Sequence, residues 1–327
     1  MNNTMEDQGL IHAFLLDGQG GGRPLTWEEV EGWTPADGRL WVHFSYDADR
    51  AVSWIEQRSG LDPVVSRTLL SEETRPRSIA VGKGLLLTLR GINHNPGSDH
   101  EDMISVRIWA EEMRIISTRK RRLLSVSEIA DSLLAGQGPA TSGGFIEVLA
   151  ELLTSNIESA IDVIDDQASS LEEQVVQSGN KGLRTQISAI RRKAILLRRY
   201  LSPQREALTR IQAETISWIS TRDRRHLRET TNSLTRIIED LDSIHERALI
   251  AQEELVSLLS EQLNSRMYTL SLVTVIFLPL SFLTGLLGIN VGGIPGADYP
   301  WAFAIVVVVV LCVVFGQLLY FRKRRWI

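Results

Sequence analysis

The chain contains a single cysteine, Cys312, in 327 residues. One thiol cannot close an intrachain disulfide, which fits a protein whose soluble part sits in a reducing compartment. Enzyme signatures are missing as well. The glycines from Gly18 to Gly22 are not followed by the Lys-Ser/Thr of a phosphate loop, and there is neither a nucleophile elbow nor a dinucleotide fingerprint. No nucleophile, base and orienting group come together, so no enzymatic activity is expected. Met1 to Asp17 has neither a basic start nor a long apolar stretch, so no signal peptide is expected there. Nothing in the chain points to a nucleic-acid partner. From Gln204 to Leu278 there is no glycine and no proline.

The net charge of −5 says less than its distribution. Roughly the first 265 residues read as soluble and charged, and the remainder holds two apolar spans, from about Met267 to Leu287 and from Trp301 to Phe321. Each is close to the ~20 apolar residues that an α-helix needs to cross a bilayer. Arg266 precedes the first span and Arg322, Lys323, Arg324 and Arg325 follow the second, whereas Val291 to Pro300 carries no Lys or Arg. The positive-inside rule then predicts a multi-pass protein with both termini cytoplasmic and the loop outside. Tyr268 and Trp301 fall where aromatic interface anchors belong.

Upstream, Leu10 to Leu16, Arg39 to Tyr46, Leu85 to Ile92, Met103 to Trp109 and Met113 to Ser117 read as strands. Ala48 to Gln57, Pro63 to Glu72 and Ser125 to Leu134 read as helices, the last two with Asp62 and Ser125 as N-caps. The mixture predicts an α+β cytoplasmic domain with a mixed sheet over residues 1–144. Eight acidic residues and no basic ones lie between Phe145 and Asn180; nine basic residues and only Glu206 as an acid lie between Lys181 and Arg210. With Gly179 and Gly182 at the turn, residues 145–222 predict an antiparallel helical hairpin whose halves attract. A second reading of the acids is that they gather divalent cations.

A long stalk helix continuous with the first span is expected over 223–288, followed by an outer loop at 289–300, the second span at 301–321 and a basic tail at 322–327. Leu234, Ile237, Leu241, Ile244, Ala248, Ala251, Leu255 and Leu258 step by three and four, a coiled-coil seam. Two spans from one chain cannot enclose water, so conduction requires a ring of subunits, and this seam is the expected means of forming it. Met267, Ser271, Thr274, Leu278, Ser281, Gly285 and Gly288 step in the same way and give a stripe suited to pore lining or to helix packing. It ends at Gly288-Ile289-Asn290, where carbonyls and a neutral amide suit a hydrated cation at the pore entrance. Between Met267 and Phe321 the only ionisable side chain apart from tyrosines and Cys312 is Asp298. No imidazole or carboxylate in the spans offers zinc a dehydrated tetrahedral site. Any proton coupling would have to use Asp298, water or the cytoplasmic domain. Pro279 interrupts the first span and frees a carbonyl.

Two side clusters hold metal-type residues. His94, Asp99 and His100 lie on a loop after Gly91-Ile92-Asn93, which repeats the pore tripeptide as a turn, and His245 lies beside the seam. Neither matches a standard metal spacing, and solvation or packing explains both.

Taken together, the α/β domain, the acidic-then-basic hairpin, the stalk, Ile276-Phe277-Leu278-Pro279-Leu280-Ser281-Phe282-Leu283-Thr284-Gly285 and the Gly-X-Asn turn resemble the CorA superfamily of divalent cation transporters. The run from Gly285 to Gly296 and Glu72-Glu73-Thr74-Arg75-Pro76-Arg77 look like its ZntB zinc-transporter branch, because the magnesium channels carry Met where this chain has Ile289. The resemblance implies a funnel-shaped homopentamer in a bacterial inner membrane. It also implies five copies of the first span around the pore, Gly288, Ile289 and Asn290 at the periplasmic entrance, and Zn2+ as cargo with no resident cofactor. A channel for Mg2+, Ni2+, Co2+ or Cd2+ is the alternative that physics leaves open, and a membrane-anchored metal sensor without transport is another.

Overall fold

The computed structural model describes residues 8–72, 75–98, 102–178, 180, 182–288, 296 and 299–324. The chain divides into two compact units, Met1–Glu253 and Glu254–Ile327.

The first unit begins with β1 (Leu10–Leu16), β2 (Gly22–Pro24), α1 (Trp27–Gly32), β3 (Arg39–Ser45) and α2 (Asp49–Ser53), which runs into a π-helical turn, Trp54–Arg58. Then come α3 (Pro63–Leu69), β4 (Arg77–Val81), β5 (Gly84–Gly91), β6 (Ile104–Ala110), β7 (Arg114–Arg119) and α4 (Leu124–Leu134). The strands form one sheet in the order β2-β1-β3-β7-β6-β5-β4. β3 pairs with β7 in parallel and the remaining neighbours are antiparallel, so the sheet is mixed, as expected. Every residue of β5 and β6 is buried, the mark of strands covered on both faces. One face packs Leu86, Trp109 and Ile116 against Val65 and Leu69 of α3. On the other, Trp41 meets Phe145 at 4.9 Å between ring centroids.

The five expected strands and three expected helices all form, β1 with the expected ends, the others with one or both ends shifted by one to three residues, and Ala48 to Gln57 as α2 and the π-helical turn. Asp62 caps α3, its carboxylate accepting from the Val64 amide at 2.7 Å. That helix ends at Leu69 rather than Glu72, and its last carbonyl accepts from the buried Thr118 hydroxyl at 2.6 Å. Ser125 is not the cap of α4: Leu123 holds that position without a side-chain bond. The Ser125 hydroxyl instead accepts from Asn156 at 3.0 Å, so a tertiary bond outcompetes the local one. Asn93 ends the soluble Gly-Ile-Asn as a turn, its side chain accepting from the Asn95 amide at 3.0 Å.

Three long helices follow: α5 (Ser142–Ser178), α6 (Leu183–Ala213) and α7 (Thr221–Leu287). α7 opens on a reciprocal cap in which Asp223 accepts from the Ser220 amide at 2.9 Å and Ser220 accepts from the Asp223 amide at 3.1 Å. The hairpin α5–α6 leaves apolar stripes that include Ile157, Ile161, Leu197 and Leu201, and burying them is worth roughly 1.5–3 kcal/mol per large aliphatic side chain. The expected seam covers them. Leu234, Ile237, Leu241, Ile244, Ala248 and Ala251 are buried within the single chain. This corrects the assignment of the seam to subunit assembly, because an apolar face already covered by its own hairpin is not free to close a ring.

Polar contacts fix the register of this three-helix packing. Arg247 on α7 donates to Asp165 at 2.7 Å and to both oxygens of Glu172 at 2.8 and 3.0 Å on α5. On the α6 side, Arg198 reaches Asp242 at 2.7 Å and Arg191 donates to Gln252 at 2.6 Å. The acidic and basic helices are thus both tied to α7. Gly179 of the expected turn lies outside the described residues.

Candidate ion pathway

The second unit contains the C-terminal part of α7 and α8 (Ala302–Lys323), and both helices are long and apolar enough to cross a membrane. None of the apolar windows is buried within the chain. In α8 the run Val306 to Val310 is β-branched and still helical. Hydrocarbon offers a backbone no partner but itself, so a spanning segment takes the helix whatever its propensity.

The seven-residue stripe lies on α7 as expected up to its end. Met267, Ser271, Thr274, Leu278, Ser281 and Gly285 are helical and exposed. The Thr274 hydroxyl donates to the Leu270 carbonyl at 2.9 Å. Its proton is therefore committed to its own helix, and its oxygen is left as an acceptor. Water around a cation points its hydrogens outward, so an acceptor is what a hydrated ion meets favourably. Gly288 follows the last helical residue, its amide donating to Thr284 O at 2.9 Å. A Cβ added there would stand 3.0 Å from that same carbonyl, so glycine lets the helix end closely packed. Ile289, Asn290 and Asp298 lie outside the described residues.

Pro279 stays within α7 and cannot donate to the carbonyl four residues back, that of Val275. That oxygen accepts instead from Nε2 of Gln317 on α8, at 3.4 Å. Gln317 is a functional candidate that the sequence reading missed. Its signal is a lone amide in one span facing the carbonyl freed by a proline in the other.

Of the remaining metal-type candidates, Asp99 and His100 lie outside the described residues, His94 is exposed just before a turn, and His245 is half-buried on α7. The acids of α5 do gather in part: Glu147, Glu151 and Glu158 line an open groove of about 500 Å³ with His226 and Glu229 of α7. His226 Nδ1 sits 2.9 Å from Glu147. Among the described residues no group of three or more His, Cys, Asp or Glu is arranged to hold a metal ion.

Comparison with known proteins matches the family described as CorA-like Mg2+ transporter protein to residues 36–323. The chain belongs to the CorA family of divalent cation transporters. A CorA-family relative, the divalent cation transporter CmaX of Pseudomonas aeruginosa, is 38% identical over 327 residues, covering 98% of each chain. The zinc transport protein ZntB of Pectobacterium atrosepticum is 34% identical over 323 residues, covering 99% of this chain and 98% of its own. The solved full-length CmaX structure superposes with a TM-score of 0.85 over 98% of each chain. The CorA magnesium transporter of Methanocaldococcus jannaschii gives 0.81 over 97% of this chain at 16% identity, a likeness of fold alone. CorA membership agrees with an α+β domain, a long helix and a C-terminal helix, and with transport rather than catalysis.

Proposed function

We propose that this chain carries hydrated zinc across a bacterial inner membrane through a pore enclosed by five copies, with both termini cytoplasmic. The observation that carries the reading is the exposed stripe from Met267 to Gly288, which leads towards Asn290 and holds hydroxyls and glycines but no ionisable group. Such a face offers hydrogen-bond acceptors to a water shell and no ligand that would strip it. Ile289, Asn290 and Asp298 form the outer mouth, and the remainder of the stripe lines the path. Zinc is favoured by Ile289 and by relatives named as zinc transport proteins at 32–34% identity.

A broader cargo is a second reading, favoured by the relative named only as a divalent cation transporter and by the same absence of zinc ligands. Hydrated divalent ions carry equal charge, and a neutral amide ring separates them weakly. Purified protein in liposomes, with radioactive zinc and magnesium flux measured under an imposed pH gradient, decides between them. The zinc reading expects saturable zinc uptake that exceeds magnesium uptake and changes with the gradient if protons are coupled. Asn290→Ala is expected to cut that uptake by about tenfold or more, because it removes an amide from every copy at once and a total loss of about 1.4 kcal/mol is already tenfold. Magnesium flux without zinc flux overturns the cargo, and unchanged uptake in Asn290→Ala overturns the site.

A further inference from the structure

β4 is the last strand of the sheet, and the C-terminal half of α6 lies along it. Between them is a cavity of about 220 Å³ lined by Arg75, Arg77, Ser78, Glu206 and Arg210. A neighbouring cavity of about 390 Å³ shares Arg75 and Glu206 and adds Arg199, His245 and the ion pair Arg198–Asp242. Arg198 of α6 is paired with Asp242 and Arg247 of α7 with Glu172. In the groove, among the described residues, Arg75, Arg77 and Arg210 have no ion-pair partner, and neither has Glu206. Three cations thus face one carboxylate.

A further group points the same way. Ser78 is 5% exposed, and its hydroxyl has no hydrogen-bond partner among the described residues. It lines the groove beside the arginines, of which Arg77 is half-buried and Arg75 and Arg210 are exposed at its rim. A buried hydroxyl without a partner is costly, and an acceptor brought there by the arginines lowers that cost.

We propose that this groove binds a small phosphate-bearing anion, with Arg75, Arg77 and Arg210 on its phosphoryl oxygens and Ser78 donating to one of them. Planar guanidinium groups match phosphoryl oxygens two at a time, which a single halide cannot exploit. The two cavities share Arg75, Pro203 and Glu206, and the larger, at about 390 Å³, falls in the range of about 300–1,000 Å³ typical of small-molecule sites, which suits a diphosphate better than a lone monovalent ion. Glu206 opposes the ligand and sets the affinity below what the arginines alone would give.

The test is calorimetric titration of the full chain in detergent with pyrophosphate, at physiological chloride so that halide competition is included. Saturable binding at one site per chain is expected. Arg77→Ala and Arg210→Ala should each weaken it by about tenfold, the scale of a charge-assisted hydrogen bond. Glu206→Gln should tighten it several-fold, which no general loss of structure can imitate. Unchanged melting temperatures confirm that the variants are folded. No saturable binding by the wild type overturns the proposal. So does affinity indifferent to Arg77 and Arg210, or a Glu206→Gln variant that binds no tighter.

Discussion

His43 on β3 is fully buried, and its hydrogen bonds fix its protonation. The Ser117 hydroxyl donates to Val42 O at 3.1 Å and accepts from Trp41 Nε1 at 3.0 Å. With that proton committed, His43 Nδ1, 2.9 Å from the same oxygen, must be the donor. Nε2 is then a bare lone pair with no partner among the described residues. Protonating it would place an N–H in the core with nothing to accept it. Burial, and then the charge of Arg119 and the neighbouring His12, hold the His43 pKa well below the usual imidazole value. His12, stacked at 6.0 Å between ring centroids, is lowered to about 4, chiefly by burial and then by Arg119. A lowered histidine pKa means that the unfolded chain takes up protons first as pH falls. Stability is therefore intact above about pH 6.5 and declines from there towards pH 4, by at most about 1.4 kcal/mol per pH unit per histidine. Thermal melting followed between pH 7.5 and 4.5 should show this slope. His12→Phe, which keeps a stacked ring and removes the titration, should flatten it by about one proton. An unchanged slope in that variant would remove His12 from the account.

At the scale of elements, the two spans are joined where one of them is broken. Pro279 frees Val275 O, and Gln317 supplies the donor from α8. In hydrocarbon an unsatisfied carbonyl has no water to turn to, yet measured side-chain hydrogen bonds between membrane helices average only about 0.6 kcal/mol. Gln317→Leu should therefore lower thermal stability in detergent modestly and cut metal flux. In a Pro279→Ala background, where an amide can again serve Val275 O, the same substitution should cost less. Additive effects in that double-mutant cycle would mean that the two residues act separately. Elements were legible in the sequence to the degree that they bury both faces or run unbroken. β1, β3, β5 and β6 stood out as apolar runs, and α7 as a stretch without glycine or proline. β2 and β4 escaped notice because outer strands of three and five residues carry arginine, serine and proline as readily as a loop does. α1 escaped although Thr26 and Glu29 spell its capping box, with Glu29 accepting from the Thr26 amide at 2.8 Å. Gln317 was invisible for a different reason. A single amide has no period, and its partner is a backbone atom 42 residues away.

For the whole molecule, a repeat of three and four says that a face is covered but not by what. The seam from Leu234 to Ala251 and the stripe from Met267 to Gly288 share one period along one helix. The first is buried by its own hairpin, while the second is exposed within the chain. The stripe shares its exposure with most of the C-terminal part of α7, so its neighbour must be water, lipid or another copy, and its hydroxyls and glycines set it apart from the apolar remainder. Those neighbours are separable by chemistry. If five copies bring Thr274 around a water-filled path, Thr274→His places five imidazoles at one level. Imidazole is a strong zinc ligand and a poor one for magnesium, which prefers oxygen and keeps its water. Zinc should then dehydrate at that ring and dwell there. In proteoliposomes, the variant's zinc uptake should fall, and its magnesium uptake should become inhibitable by zinc at concentrations harmless to the wild type. Raising the chelator concentration should reverse that inhibition. Were Thr274 turned to lipid or to α8, five imidazoles could not meet, and zinc would leave the variant's magnesium uptake untouched. The substitution thus asks one question of assembly and pathway at once: whether the bare, ligand-free face of α7 is bare because a hydrated ion passes along it.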